Sequence, residues 1–439
     1  MGFIKKTFQN RSLRIVLLLA FIIRLVVSIP IWTAQERMIQ NDSPSYYKIA
    51  QNLYEGNGYS NCPTEPYYKD VLRTPTYPIL IAGTKFITDD FRSVFVLQLL
   101  LDLLTLLLLF RIGSNLFDDR VGVLAALFYA ISIINVVMCT QVLAETLFVF
   151  LMMGSFYYMI VRRKYFLSGL VLGLAVLCKP IGLFVILICL LYLIVSKRNI
   201  KQIGLMLLPF VIVVGGWMIR NQSITNTLTI SSISSYSLFA YNANMVLSHK
   251  VGKPESVLRE ARIAEVYERV EGELGDYSGK FDYMEVFDRE GKKVVLDNLG
   301  LYTYLHLKNS VNSLIPGVHY VLELFGKTEG KRGTMDVLRR EGLIKATAYY
   351  FDGKWLGFAL LLPWILCWLI MLITAFVGSL KILRNKKWET VLLVLLPGLY
   401  FLFISGPAAE PRFGALIAPY FCLLGGFYLG GLDRLKGWL

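Results

Sequence analysis

RVGVLAALFYAISIINVVMCTQVLAETLFVFL, residues 120–151, holds one cation, Arg120 at its start, and one carboxylate, Glu145. About twenty mostly apolar residues cross a bilayer core, so this stretch is too long for one crossing and too apolar for a surface loop. It reads as two spans, 121–138 and 143–161, joined by a tight turn that puts Glu145 at the start of the second. Similar runs lie near 13–33, 91–111, 165–178, 180–196, 204–220, 355–380, 389–405 and 412–432, with 121–138 and 165–178 the shortest. A chain that is 55% hydrophobic, with mean hydropathy +0.55, fits that count. The expectation is an all-α integral membrane protein with about ten transmembrane helices.

Charge sets the orientation, because Lys and Arg accumulate in short cytoplasmic loops. With the N-terminus inside, the inner segments collect 18 of the 45 cations, from Lys5, Lys6, Arg11 and Arg14 through Arg111, Arg120, Arg162 and Lys381 to Arg434 and Lys436. They collect four of the 31 acids, Asp118, Asp119, Glu389 and Asp433, so the remaining 27 cations and 27 acids balance. The whole excess of +14 therefore sits on one face. That places both termini in the cytoplasm, implies a plasma or inner membrane, and argues against nucleic acid as the reason for the basic balance. The first run is not followed by a small-residue cleavage site, so it reads as a retained helix rather than a signal peptide.

Of six cysteines, Cys139, Cys178, Cys189, Cys367 and Cys422 fall in or at the ends of apolar runs. Only Cys62 is clearly outside, which argues against a disulfide framework. No internal repeat is visible, which weakens an inverted-repeat transporter. Three regions follow: 1–220 with a first outer loop at 34–90, an outer cap at 221–354, and a second membrane region at 355–439. Long loops on a rigid scaffold are where function tends to sit.

In the first loop, Pro44 suits a helix start and Gly56 its end, so 44–55 reads as a short helix with Tyr46, Tyr47, Ala50, Leu53 and Tyr54 on a side able to lie in the headgroup layer. GNGY, 56–59, is its stop. RTPTYP holds Arg73 in a Pro-stiffened segment ahead of PILIAGTKF, which is too short to span. The cap contains two helix-like stretches, SVLREARIAEVYERVEGEL and YMEVFDREGKKVVLDNLGLYTYLHL, with room for only a small second core.

Asp42, before Ser43-Pro44, is either a helix cap or a base at the membrane surface. Glu145 is either an acid favoured at a helix N-terminus or a polar contact at the same surface. Arg73, Lys179, Arg220 and Arg412 lie at outer helix ends or loops, where their heads can meet lipid phosphate or snorkel to ordinary headgroups. Arg24 and Asp102, near mid-depth, read as a structural ion pair in preference to a proton path. Asp89 and Asp90 read as helix-capping acids rather than a metal pair, and His249, His306 and His319 are too dispersed to suggest a ligand set.

Taken together, the acid with its Tyr-rich helix, GxGY and RTPTYP (42–78), the 120–151 passage, GWMIRN (216–221 with its flank) and EPRFGALIAPY (410–420) resemble the C-type fold (GT-C) membrane glycosyltransferases. They resemble most the family 39 relatives of dolichyl-phosphate-mannose protein mannosyltransferases, a group related to lipid A aminoarabinose transferases. The resemblance covers roughly the first 220 residues and the last 40. It implies an inverting transfer of a monosaccharide from a polyprenyl phosphate to an acceptor hydroxyl of a protein, lipid or glycan at the outer face. Asp42 matches the family's first-loop acid and is the candidate base, with Glu145 auxiliary. Arg73, Lys179, Arg220 and Arg412 are the candidate phosphate ligands, and Tyr46, Tyr77 and Glu410 the candidate contacts to acceptor or sugar. The family's paired acids are missing, because Asn41 precedes Asp42 and AET at 144–146 offers one carboxylate, so no obligatory metal or other cofactor is expected. A lipid-linked saccharide ligase or polymerase, leaning on Arg and His rather than a carboxylate, and a lipid-linked sugar flippase are the alternatives.

Overall fold

The computed structural model describes residues 10–274, 282–326, 337, 341–351 and 355–432. Lys5, Lys6, Asp433, Arg434 and Lys436 of the charge pattern lie outside the described residues. Among the described residues every regular element is helical, and the β pairing seen is an isolated bridge between Ser60 and Lys69. The membrane region opens with α1 (Arg11–Thr33), whose first turn is capped by the Asn10 side chain. It continues through α2 (Ser43–Glu55), α3 (Thr76–Lys85), α4 (Phe91–Leu116), α5 (Asp119–Ala130), α6 (Ile133–Met138), α7 (Glu145–Ile160), α8 (Tyr165–Val176), α9 (Val185–Val195) and α10 (Ile200–Thr225).

The cap carries α11 (Glu255–Leu274), α12 (Asp282–Leu296), α13 (Leu299–Ser310) and α14 (Val318–Leu324). α15 (Trp355–Arg384), α16 (Trp388–Ile404) and α17 (Gly414–Gly430) close the bundle. Among the described residues five helices are long and apolar enough to cross a membrane: α1, α4, α10, most of α15, and the Pro411–Gly430 segment that ends in α17. The other runs form shorter apolar helices. The run at 121–138 is broken, because Ser132 turns extended between α5 and α6.

Capping explains several boundaries. Asp118 accepts the Val121 N–H at the start of α5, and Asn199 with Gln202 makes a reciprocal capping box for α10. Asp90 caps α4 through the Arg92 N–H, as expected. Asp89 does not cap; it pairs with Lys85 and accepts the Tyr47 hydroxyl. Close helix contacts rely on small residues, which allow backbones to approach where no hydrophobic effect drives helices together. A side chain at Gly169 of α8 would overlap the Met206 carbonyl of α10, and one at Gly378 of α15 would overlap the Leu424 carbonyl of α17.

The first-loop helix differs from expectation in what it covers. Tyr46 and Ala50 are buried against α3, with the Tyr46 and Tyr77 rings edge to face at 5.0 Å, while Tyr54 stays outside. The second cap stretch is two helices, α12 and α13, separated at Asp297-Asn298. Phe239, Val266, Val270, Tyr283 and Phe287 form the small second core of the cap.

Arg24 of α1 is fully buried, and its Nε is paired with Asp102 of α4. Its Nη1 donates to the carbonyls of Ala20 at 3.2 Å and Ala130 at 2.8 Å, and the Tyr129 hydroxyl donates to Asp102 at 2.7 Å. The pair thus ties α1, α4 and α5 at one depth. Removing one partner of such a pair leaves an uncompensated buried charge, at a cost of about 3–5 kcal/mol. R24M should therefore lower the melting temperature of the purified protein sharply, and adding D102N, which removes the orphaned charge and keeps an acceptor for Tyr129, should restore most of it.

Candidate active site

Ser43, rather than Asp42, opens α2. The Gln40 N–H donates to Ser43 Oγ at 2.8 Å, and that hydroxyl donates to the Val142 carbonyl at 2.8 Å. The Asp42 side chain makes no capping bond, which removes the helix-cap reading and leaves both of its oxygens free for cations. Arg73 Nη2 donates to Oδ1 at 2.8 Å and Arg412 Nη1 to Oδ2 at 2.7 Å. Burial alone would raise the Asp42 pKa, but Arg412 and Arg73 together outweigh it and hold the carboxyl well below the usual carboxylate range.

Each arginine is itself fixed. The Arg73 N–H donates to Asp70 Oδ1 at 2.8 Å and its carbonyl accepts the Tyr59 hydroxyl at 2.9 Å. Its Nε donates to Ser45 Oγ at 2.7 Å, and the guanidinium lies over the Tyr46 ring at 4.8 Å. Arg412 stands in a one-turn 3-10 segment, Pro411–Phe413, between α16 and α17, with Nε 2.9 Å from Glu410 Oε2. Glu145 begins α7 and is 1% exposed; its Oε1 accepts Lys179 at 2.6 Å, while its Oε2 is buried without a partner. Lys179 and Arg412 face one aromatic ring, Phe413, at 5.3 and 5.5 Å.

Asp42, Arg73, Arg412, Glu410, Glu145 and Lys179 thus converge. Three other expected site residues do not join them as ligands. Arg220 donates to the Asp70 carbonyl at 2.5 Å and to Asn221 at 2.8 Å, with Trp217 and Tyr59 against its guanidinium, so it braces the loop behind Arg73 instead of facing a phosphate. Tyr77 is fully buried and donates to Gln98 at 3.0 Å, which withdraws it from any contact with acceptor or sugar. Tyr46 is covered by Arg73 and Tyr77 and serves as a platform for the former.

Beside Arg412 opens a cavity of about 220 Å³, lined by Gln40, Asn41, His319, Tyr320, Glu323 and Glu410 among others. Its far wall is α14, in the cap, so His319 escaped the sequence reading; a lone His after Pro316-Gly317 carries no signal of a site nearly three hundred residues upstream. Asp70 was missed too, although its spacing to Arg73 is that of a side chain accepting the N–H three residues on. Among the described residues no three His, Cys, Asp or Glu side chains are grouped to hold a metal ion.

Residues 73–218 match the family model of dolichyl-phosphate-mannose-protein mannosyltransferase, a segment that includes Arg73, Glu145 and Lys179. Similar solved structures are those of an oligosaccharyltransferase of Archaeoglobus fulgidus. The form tethered to an acceptor peptide containing the NVT sequon is 13% identical, with 98% of this chain and 51% of that one covered at a TM-score of 0.54. The apo form gives 13%, 98%, 52% and 0.51, and the complex with Zn and sulfate 13%, 96%, 50% and 0.51. This chain therefore spans about half the length of those proteins and shares their fold. No curated protein sequence gives a significant match.

Burial lowers the His319 pKa to about 4, so the ring is neutral at pH 7. The unfolded chain, with a His pKa near ~6.5, takes up that proton first as pH falls. The contribution of His319 is then full above about pH 6.5 and is lost on the way down to 4. H319Q should reduce the fall in melting temperature between pH 7 and pH 4.5.

Proposed function

We propose that this GT-C-fold membrane protein, which carries a segment of the dolichyl-phosphate-mannose-protein mannosyltransferase type, transfers a monosaccharide from a polyprenyl phosphate to an acceptor hydroxyl, with inversion, at the outer membrane face. The observation that carries the reading is a single carboxylate, Asp42, gripped by two arginines beside an open polar cavity.

Displacement at an anomeric carbon needs a base for the acceptor proton and positive charge for the departing phosphate. Asp42 is the base. Arg73 and Arg412 hold the phosphate, so that charge developing on the bridging oxygen meets fixed donors. Glu145 with Lys179 sets the field beneath Arg412. Arg220 acts at one remove, through the Asp70 carbonyl that anchors the Arg73 loop. The acceptor occupies the cavity by Asn41, with Glu410 and His319 as its polar contacts. A single attacking oxygen entering opposite the phosphate inverts the centre in one step. The cation requirement is assigned to guanidinium groups, and Asn41 and Ser43 flank Asp42 as Ala144 and Thr146 flank Glu145, with no paired acid in sequence, so the reading calls for no divalent metal.

The test is transfer by the purified protein in liposomes, using a panel of polyprenyl phosphate sugars and mass detection of the product. D42N should lower turnover by about 10²–10⁴, while a chelator leaves the wild-type rate unchanged. Near-full turnover in D42N would favour a ligase that uses only cations; movement of labelled lipid across the bilayer without transfer would favour a flippase.

A further inference from the structure

Both arginines assigned to the phosphate already hold a carboxylate. Arg73 places Nε on Ser45 and Nη2 on Asp42; Arg412 places Nη1 on Asp42 and pairs Nε with Glu410. A phosphate seated on the two guanidiniums would stand against the ionised Asp42 as a like charge at contact range, which is costly where water is scarce. We propose that the donor phosphate and the Asp42 carboxylate exchange places on the Arg73–Arg412 pair, so that donor binding itself releases the base. This rests on the functional reading above and concerns how its site is switched on.

Three features favour exchange over simple addition. First, Asp42 is the member free to leave. Its side chain is 27% exposed, against 13% for Arg73 and 17% for Arg412, and it makes no capping bond to the α2 backbone that would anchor it. Second, it has somewhere to go, because Asn41 and Arg412 line the cavity where the acceptor would sit. Third, the bound carboxylate is a poor base. Held below the ordinary range by two cations, it has little tendency to take a proton from a hydroxyl, and efficient proton transfer needs a pKa nearer the working pH. Losing both arginines to a phosphate reverses that deficit.

The step balances without any further reactant. The acceptor O–H gives its proton to the freed Asp42 carboxylate as its oxygen bonds to the anomeric carbon. The bond from that carbon to the phosphate oxygen breaks, and its electron pair stays on the phosphate, which becomes a monoester held by Arg73 and Arg412. When the lipid phosphate leaves, Asp42 loses its proton to water and returns to the arginines. Donor therefore binds before the acceptor reacts, and the carboxylate and phosphate are thermodynamically coupled ligands of one cation pair.

Binding of farnesyl phosphate, a sugar-free polyprenyl phosphate, to the full chain in nanodiscs tests this. D42N and D42A, which remove the competing charge, should each bind about tenfold or more tighter than wild type while transfer is lost; D42E, which keeps the charge, should bind like wild type. R412A should weaken binding in both the wild-type and D42N backgrounds. Melting temperatures identify a variant that has lost its fold, and D42A stands in should D42N do so. Unchanged or weaker binding by folded D42N and D42A would overturn the exchange while leaving the glycosyltransferase reading intact. Absence of binding by wild type and both variants, with no sensitivity to Arg412, would overturn that reading and the exchange with it.

Discussion

A carboxylate shared by two guanidiniums ties together three separate parts of the chain. Asp42 follows the first membrane helix, Arg73 precedes α3, and Arg412 stands 370 residues from Asp42 in the link between the last two helices. With the three side chains between 13% and 27% exposed, the attraction is screened less than at an open surface. It also fixes a distance: both oxygens of one carboxylate must be reached at once. That constraint brings the first loop and the last helix link to opposite sides of a single small group, and the cavity lined by α14 opens against one of them.

The scaffold beneath is built to tolerate irregular backbone at that level. Residues 139–144, between α6 and α7, run outside any regular helix in a fully buried position, and backbone polar groups so placed need protein partners. They have them. Gln98 donates to the Cys139 and Gln141 carbonyls at 3.0 and 2.7 Å, the Val142 N–H donates to Met38, and Ser43 donates to Val142. The same bonds deliver Glu145 to the start of α7, beneath Arg412. The buried Arg24–Asp102 pair fixes α1 against α4 and α5, so the loop that carries Asp42 leaves a helix already held in place.

The grouping of Asp42 with Arg73 and Arg412 came from the family resemblance, whereas apolar periodicity and charge bias made the helical membrane architecture, the first-loop helix and the Arg24–Asp102 pair legible before any coordinates. These features depend on residue type at a local position, or on a cost that allows one solution, as with two opposite charges near the middle of a bilayer. Other assignments needed the third dimension. Asp42 before Ser-Pro has the pattern of a capping acid, but its side chain turns to two arginines and makes no bond to the helix N–H groups. Arg220 and Tyr77 have the right chemistry for a site and the wrong direction: one turns toward a loop carbonyl and the other into the core. His319 is brought to the cavity by packing of the cap, where Arg37 donates to the Leu324 carbonyl at the end of α14. Pairwise contacts of that range leave no periodic trace in a sequence.

The charges at the centre of the site cancel: Asp42, Glu145 and Glu410 face Arg73, Lys179 and Arg412. A preformed surplus of cations at this level would be filled by the phosphates of surrounding lipids, which outnumber any polyprenyl donor. Occupation of both arginines by Asp42 raises the requirement for entry, because an incoming phosphate must first do without the attraction that the carboxylate already supplies. A phospholipid headgroup brings little else to offset that loss, whereas a donor with a sugar for the polar cavity and a prenyl chain for the apolar helices brings contacts on both sides. In the proposed reaction, selectivity then comes from an occupant that weak ligands fail to displace, and the same carboxylate that excludes them is the proposed base.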